Sequence, residues 1–285
     1  MPKLPSAARA MLIAAGAVAA LTGAAIGQAQ AQGTLTASYT ISVARIPVGK
    51  LAWTADIGED GYSIAGNGEA SGIASFLAGG KGTVATRGTV KDGQLSPTEF
   101  TSDITQGDDK GRLTMRLEQG SVTELKIDPP VPAADPDRVP LAAAHQQGVV
   151  DPLTAWLAPA AGTGDGLARE VCERTLPVFD GQKRYDLTLA FKRMDKAKAD
   201  KGYQGPVLVC ALGLQPIAGH RPASSMVKFL APGRDIELWL APVAGTRLLA
   251  PIRVQIANLL GNIVVQAQEF EAAAQSPARA AITPQ

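Results

Sequence analysis

Apolar residues recur at every second position along most of this chain, and no other feature constrains the fold as much. Tyr39, Ile41 and Val43 alternate with Thr40, Ser42 and Ala44, and Leu113, Met115 and Leu117 alternate with Thr114 and Arg116. Leu187, Leu189 and Phe191 repeat the pattern against Thr188 and Lys192. Successive side chains of a strand point to opposite faces, so a period of two describes a sheet with one buried and one wet face. Between these runs lie Gly58-Glu59-Asp60-Gly61, Lys91-Asp92-Gly93, Gly107-Asp108-Asp109, Gln119-Gly120 and Asp180-Gly181, turn signals of the kind that join sequential antiparallel neighbours.

The spacing predicts strands over 34–46, 48–57, 62–70, 81–90, 95–106, 112–118 and 122–128, then 169–179, 184–192, 205–214, 226–230, 235–241, 247–257 and 261–269. So many strands exceed what one flat open sheet carries, because twisted sheets curl or split as strands are added. The expected class is all-β with minor α: a large antiparallel sheet curled into an open barrel or β-spiral. The Pro-rich stretch 128–140 reads as an exposed crossing between two sets of strands. After it, 141–158 should supply one or two short helices, with Asp151 as N-cap, Pro152 at the first helical position, and Leu153 and Trp156 turned inward. The segment 73–78, with Phe76 and Leu77, is apolar without strand periodicity and reads as either a lip over a cavity or a packed loop. The tail 272–285 has no repeating apolar face and is expected to be disordered.

The first residues point to a compartment. Lys3 and Arg9 precede an uncharged, Ala-rich stretch from Met11 to Ile26, followed by Gln28-Ala29-Gln30-Ala31. That is the order of a secretory signal peptide, expected to be cleaved after Ala31; the apolar run is too short and too poor in large side chains for a membrane span. The remainder, 32–271, is expected to be a single β-rich domain in the periplasm. Loss of the two basic residues leaves it close to neutral, and no block of Lys and Arg exists, which argues against nucleic acid and polybasic membrane anchoring. Aromatic residues make up only 5%, so the core should be aliphatic. Cys172 and Cys210 are the only cysteines, and in an oxidising compartment they should pair as a disulfide. Their separation and the lack of paired histidines offer no zinc or thioredoxin-like spacing, so neither metal nor cofactor is expected.

Evidence for catalysis is thin. His145 reads as a surface position near a helix. His220 stands in Gly219-His220-Arg221-Pro222, where its pairing with a cation suits an anion or phosphate headgroup, while the flanking Gly and Pro suit a structural hydrogen bond in a sharp turn. Ser225-Met226-Val227-Lys228 has S-x-x-K spacing, but it sits at the predicted strand 226–230 and lacks the partner motifs. Asp186, Asp195 and Asp200 lie beside basic residues and read as solvated charge.

Cys172, the run Val178-Phe179-Asp180-Gly181-Gln182-Lys183-Arg184-Tyr185-Asp186-Leu187, Tyr203-Gln204-Gly205-Pro206-Val207-Leu208-Val209-Cys210, Pro216-Ile217-Ala218-Gly219-His220-Arg221 and Trp239-Leu240-Ala241-Pro242-Val243 stand in an order that resembles the periplasmic family designated domain of unknown function 3108. The resemblance extends more weakly from the Tyr39 strand to the last strand. It implies a bacterial periplasm and a fold similar to envelope-integrity β-spirals and, more distantly, to the open half-barrels of lipoprotein carriers, which hold lipid or protein chains. The leading expectation is a non-enzymatic periplasmic protein that binds a lipophilic ligand or an envelope protein segment, with Phe76, Leu77, Trp156, His220 and Arg221 as candidate binding residues. One alternative is a hydrolase or transferase acting on cell-envelope substrates through His220 and Arg221. Another is a scaffold that recruits envelope proteins through exposed edge strands.

Overall fold

The computed structural model describes residues 32–71, 80–91, 93–131, 135–160, 166–229, 235–257 and 261–275. The expected leader at 1–31, the segment 73–78 with Phe76 and Leu77, and the end of the tail from 276 lie outside the described residues. Seven strands come first: β1 (Gly33–Val43), β2 (Ile46–Ile57), β3 (Gly61–Ala70), β4 (Gly80–Lys91), β5 (Gln94–Gln106), β6 (Asp109–Glu118) and β7 (Ser121–Asp128). After the crossing come β8 (Ala158–Pro159), β9 (Arg174–Phe179), β10 (Arg184–Lys198), β11 (Lys201–Gly202), β12 (Gln204–Ala218), β13 (Ile236–Val243), β14 (Leu248–Ile256) and β15 (Ile263–Ala274). All join one sheet of order β7-β6-β5-β4-β3-β2-β1-β15-β14-β13-β12-β10-β9, with β8 beside β14 and β11 beside β15. Every pairing between these strands is antiparallel except the short one between β11 and β15. The sheet does not close, since β7 and β9 end the order without pairing to each other.

Alternation produces the meander as expected. In β3, Tyr62 and Ile64 are buried while Ser63 and Ala65 are exposed, and in β6 Leu113, Met115 and Leu117 are buried between solvated neighbours. β12–β14 obey a different rule. Leu208, Cys210, Leu238, Leu240 and Leu249 belong to one apolar cluster, whereas Val207, Val209, Ala241, Val243 and Ala250 belong to another. Neighbours along these strands point to opposite faces, so both faces are covered. The first cluster also takes in Ala158, Val171 and Cys172 from the segment before β9. The second takes in Leu35, Ala37, Tyr39, Ala55, Ile57 and Ile64 from β1–β3. The Tyr39 hydroxyl donates to the carbonyl of Pro251 in β14 and accepts from Trp53 Nε1, tying the two halves together with a filled polar valence. Burial pushes that phenol well above its ordinary range.

A third cluster forms where the ends of the sheet approach each other. Phe179 of β9 packs with Phe100, Leu113, Met115 and Leu117 of β5 and β6, and Val149 from the inserted segment joins them. Gly181, in the turn after β9 with φ +92°, sits so close to Leu113 that a Cβ would lie 2.2 Å from its Cδ1. Glycine is therefore required there both by conformation and by the approach of the hairpin. Asp180 closes the same turn by accepting from the amides of Gln182 and Lys183.

Several expected elements differ. Residues 169–179 do not form one strand: Arg169–Cys172 is a 3-10 turn and β9 starts at Arg174, because Val171 and Cys172 turn into the cluster that covers β12–β14. The predicted strand 226–230 is instead a one-turn helix, Ser225–Phe229, whose start is capped by Ser224 Oγ accepting from the Val227 amide. Ser225 and Lys228 thus share a helical turn but are both exposed. The insertion carries a 3-10 turn, Ala143–Gln146, and a one-turn helix, Pro152–Ala155. Leu153 turns inward, but Trp156 at the end of that helix remains 37% exposed. β15 continues to Ala274, three residues into the expected tail, because Ala272–Ala274 pair with Gly33–Leu35 of β1.

Candidate functional site

Register builds a polar row across the outward face of the meander. Asp56, Ser63, Arg87, Glu99, Arg116 and Glu124 lie directly opposite one another on β2 through β7. Arg87 Nη2 stands 3.1 Å from Glu99 Oε2, Arg116 Nε is 3.7 Å from the same oxygen and 3.5 Å from Glu124, and Lys126 Nζ is 2.6 Å from Glu124 Oε1. Lys126, and then Arg116, hold the Glu124 carboxyl below its usual range. At the end of this row an open groove of about 730 Å³ runs over β2–β6, lined by Gly58, Gly61 and Gly88 together with Ser63, Thr89 and Thr98. Its size lies within the range of ligand clefts. The lining sets hydrogen-bond donors, acceptors and both signs of charge among a larger share of carbon surface.

The residues singled out from sequence sit elsewhere. His220 and Arg221 follow β12 and clasp the crossing to it. Arg221 donates through Nε and Nη2 to Asp135 Oδ2 at 2.9 and 2.6 Å, and Arg138 donates to the same oxygen at 3.0 Å. Main-chain bonds from Val139 N to His220 O and from Gly219 N to Val139 O complete the clasp. Arg221 foremost holds the Asp135 carboxyl below its usual range. The Arg221 guanidinium is thus already engaged with a carboxylate, while His220 Nδ1 is buried without a partner. His145 accepts the Ala142 amide through Nδ1 at the 3-10 turn. Trp156 lies on the helical insertion, on a different element from His220 and Arg221. Cys172 and Cys210 form a disulfide with Cα atoms 5.4 Å apart.

Two clusters were legible in the sequence only in part. Asp151, fully buried, accepts from the amides of Leu153 and Thr154 and from the hydroxyls of Thr154 and Thr86, and Tyr62 donates in turn to Thr154. With no cation among these partners, burial pushes the Asp151 carboxyl above its usual range despite the four donors. The Asp151-Pro152 cap was visible locally, but Thr86 and Tyr62 are brought in only by the curl of the sheet. On β13, Glu237 accepts both terminal nitrogens of Arg193 at 2.7 and 3.1 Å and the Trp239 indole N–H at 3.1 Å. Arg193 foremost holds its carboxyl down at about 2. Trp239 is flanked by the guanidiniums of Arg193 and Arg253, 5.3 and 5.2 Å from its ring centre. A signal existed in the alternating charge and aromatic of Glu237 and Trp239, yet their partners come from β10 and β14.

Fold and site together define an open, curled antiparallel β protein with a polar groove on one half and a disulfide-stapled cover on the other. The profile described as "Protein of unknown function (DUF3108)" matches residues 38–268, and the chain belongs to that family. Comparison with curated proteins finds no match. Among solved structures the chain is similar to a β-barrel-like protein of domain of unknown function DUF1849 from Brucella abortus, at 9% identity and a TM-score of 0.45, over 86% of this chain and 98% of that one.

Proposed function

We propose that the protein is an exported, non-catalytic component of the bacterial envelope that binds an extended segment of an envelope protein along the groove over β2–β6. The observation that carries this reading is the groove itself: about 730 Å³, open to solvent, lined by Ser63, Thr89 and Thr98 and bordered by paired Arg and Glu side chains. An extended polypeptide carries amides and carbonyls that the hydroxyls of Ser63, Thr89 and Thr98 and the charged border can meet, with its side chains adding selectivity. A lipophilic ligand is favoured less, because the three apolar clusters between the described strands consist of the protein's own packed side chains. Export is supported by the order of charges and small residues before Gln32 and by the disulfide, which persists in oxidising compartments. Among the described residues no helix is long and apolar enough to cross a membrane. The hydrolase or transferase alternative relies on His220 with Arg221, and that guanidinium is held by Asp135.

The test is a photo-crosslinking residue placed at Thr89 or Ser63 in the living cell, with exposed Lys198 as control. Crosslinks from both groove positions to one envelope protein, absent from the control and abolished by Arg87→Glu with Arg116→Glu at unchanged melting temperature, are the expected result. Equal labelling from the control, or none from the groove, rejects the reading. Amino-terminal sequencing of envelope-extracted protein checks export independently, with Gln32 as the expected first residue.

A further inference from the structure

The two ends of the sheet are finished differently. At β9 the chain covers its own edge: Val150 bridges Val178, its amide donates to Pro177 O at 2.9 Å, and its carbonyl accepts from Phe179 N at 3.0 Å. At β7, among the described residues, the only strand partner is β6. The apolar cluster also runs out there, leaving Val122, Leu125 and Ile127 only partly buried. Unpaired edges invite further strands, and proteins commonly place charge on them to discourage indiscriminate pairing.

The charges of β7 do more than discourage. We propose that β7 is a self-complementary edge that pairs antiparallel with β7 of a second copy of this chain, with Leu125 on the two-fold axis. In that register Glu124 of each copy faces Lys126 of the other, two opposite-charge pairs on the outward face. Leu125 meets its own counterpart on the inward face, and Ile127 meets Thr123, the exposed residue at which β7 bulges against β6. Shifting by one residue on each strand sets Glu124 against Glu124, or Lys126 against Lys126 with Glu124 against Asp128. A shift toward the end of β7 puts Lys126 against Asp128 but runs the ladder into Pro129, which has no amide hydrogen. The Leu125 register uses the strand from Val122 to Asp128 and leaves no like charges opposed. Isologous two-fold pairing of this kind is the commonest route to a dimer.

The test is analytical ultracentrifugation of the purified mature chain. A concentration-dependent dimer is expected. Lys126→Glu, which sets Glu against Glu twice, should weaken it about tenfold, and Glu124→Lys with Lys126→Glu should restore it. As a second measurement, Leu125→Cys should crosslink to its own counterpart on oxidation, giving a covalent dimer that is lost when Lys126→Glu is added. A wild-type chain that stays monomeric, a dimer indifferent to Lys126→Glu, or a dimer whose Cys at position 125 does not crosslink each overturns the proposal.

Discussion

In the meander β1–β7, a buried side chain is followed along the strand by one that sees water; in β12–β14 its neighbour is buried too. Tyr62, Ser63 and Ile64 show the first arrangement, and Leu208, Val209 and Cys210 the second. The first half needs one covering layer, which the curl of the sheet provides. The second needs two, and the outer one draws on Ala158, Val171 and Cys172, which lie outside the long strands and are tied to Cys210. Alternation therefore suffices where a sheet has one wet face, and a covalent tie appears where irregular chain must act as a layer.

The sharpest way to break this comparison is to remove the tie. Cys172→Ala with Cys210→Ala reopens a loop of sequence separation 38 and should cost about 3 to 4 kcal/mol in the chain-entropy view. Denaturant unfolding of oxidised wild type against the double variant measures it, and hydrogen exchange should locate the early loss of protection in β12–β14 while β2–β6 stay protected. Uniform loss of protection would mean that the halves do not differ in what covers them.

Next in size is a cavity on the doubly covered side. Leu240 is fully buried in the cluster shared with Cys172 and Cys210, and Leu240→Ala should cost about 3 kcal/mol. A denaturation midpoint shift equivalent to less than about 1 kcal/mol would indicate a cover that collapses freely onto the gap.

Asp151 sharpens the comparison from the other side, because it fastens the inserted helix to β3 and β4 where the meander's inner face is closed. Asp151→Ala leaves two amides and the Thr154 hydroxyl without their acceptor, while Thr86 Oγ1 keeps the Glu99 carbonyl, and should cost about 2 kcal/mol. Asp151→Asn keeps an acceptor and should cost less. Because the folded-state carboxyl titrates above its ordinary value, the folded protein binds more protons in that window. The cost of burying the charge is present at neutral pH and is relieved as pH falls through the raised value. Wild type should therefore gain stability relative to Asp151→Asn on mild acidification, as thermal melts at stepped pH would register. A difference that is flat with pH would place the carboxylate in a better-compensated site.

The strands of the meander, the turns with glycine and the cysteine pair were legible because each is written in neighbouring residues. The turn between β1 and β2 was not, since Ala44 and Arg45 both adopt positive φ without the usual Gly or Asn. What holds them there is remote: Gly261 packs against Ala44, and the Ala44 amide donates to Asn262 O. β13 and β14 were recognised as strands, but their double cover was not, because the apolar run does not say which segment lies over it. The groove was invisible for a related reason. Its row of Asp56, Ser63, Arg87, Glu99, Arg116 and Glu124 has no meaning along the sequence and exists only through strand register.

That row supplies the smallest expected effect. The Arg87 and Arg116 side chains are 66% and 60% exposed and share Glu99, so their attraction is screened by water and salt. Glu99→Gln should change stability by about 0.5 kcal/mol or less, and by less still in high salt. Its influence on a bound segment should be larger, since it frees the Arg87 guanidinium, leaves Arg116 to Glu124 alone and alters the charge a ligand meets at the groove's border. If Glu99→Gln instead destabilised the fold as much as Leu240→Ala, the outward face of the meander would be a structural layer in its own right. The division between a half with one cover and a half with two would then fail.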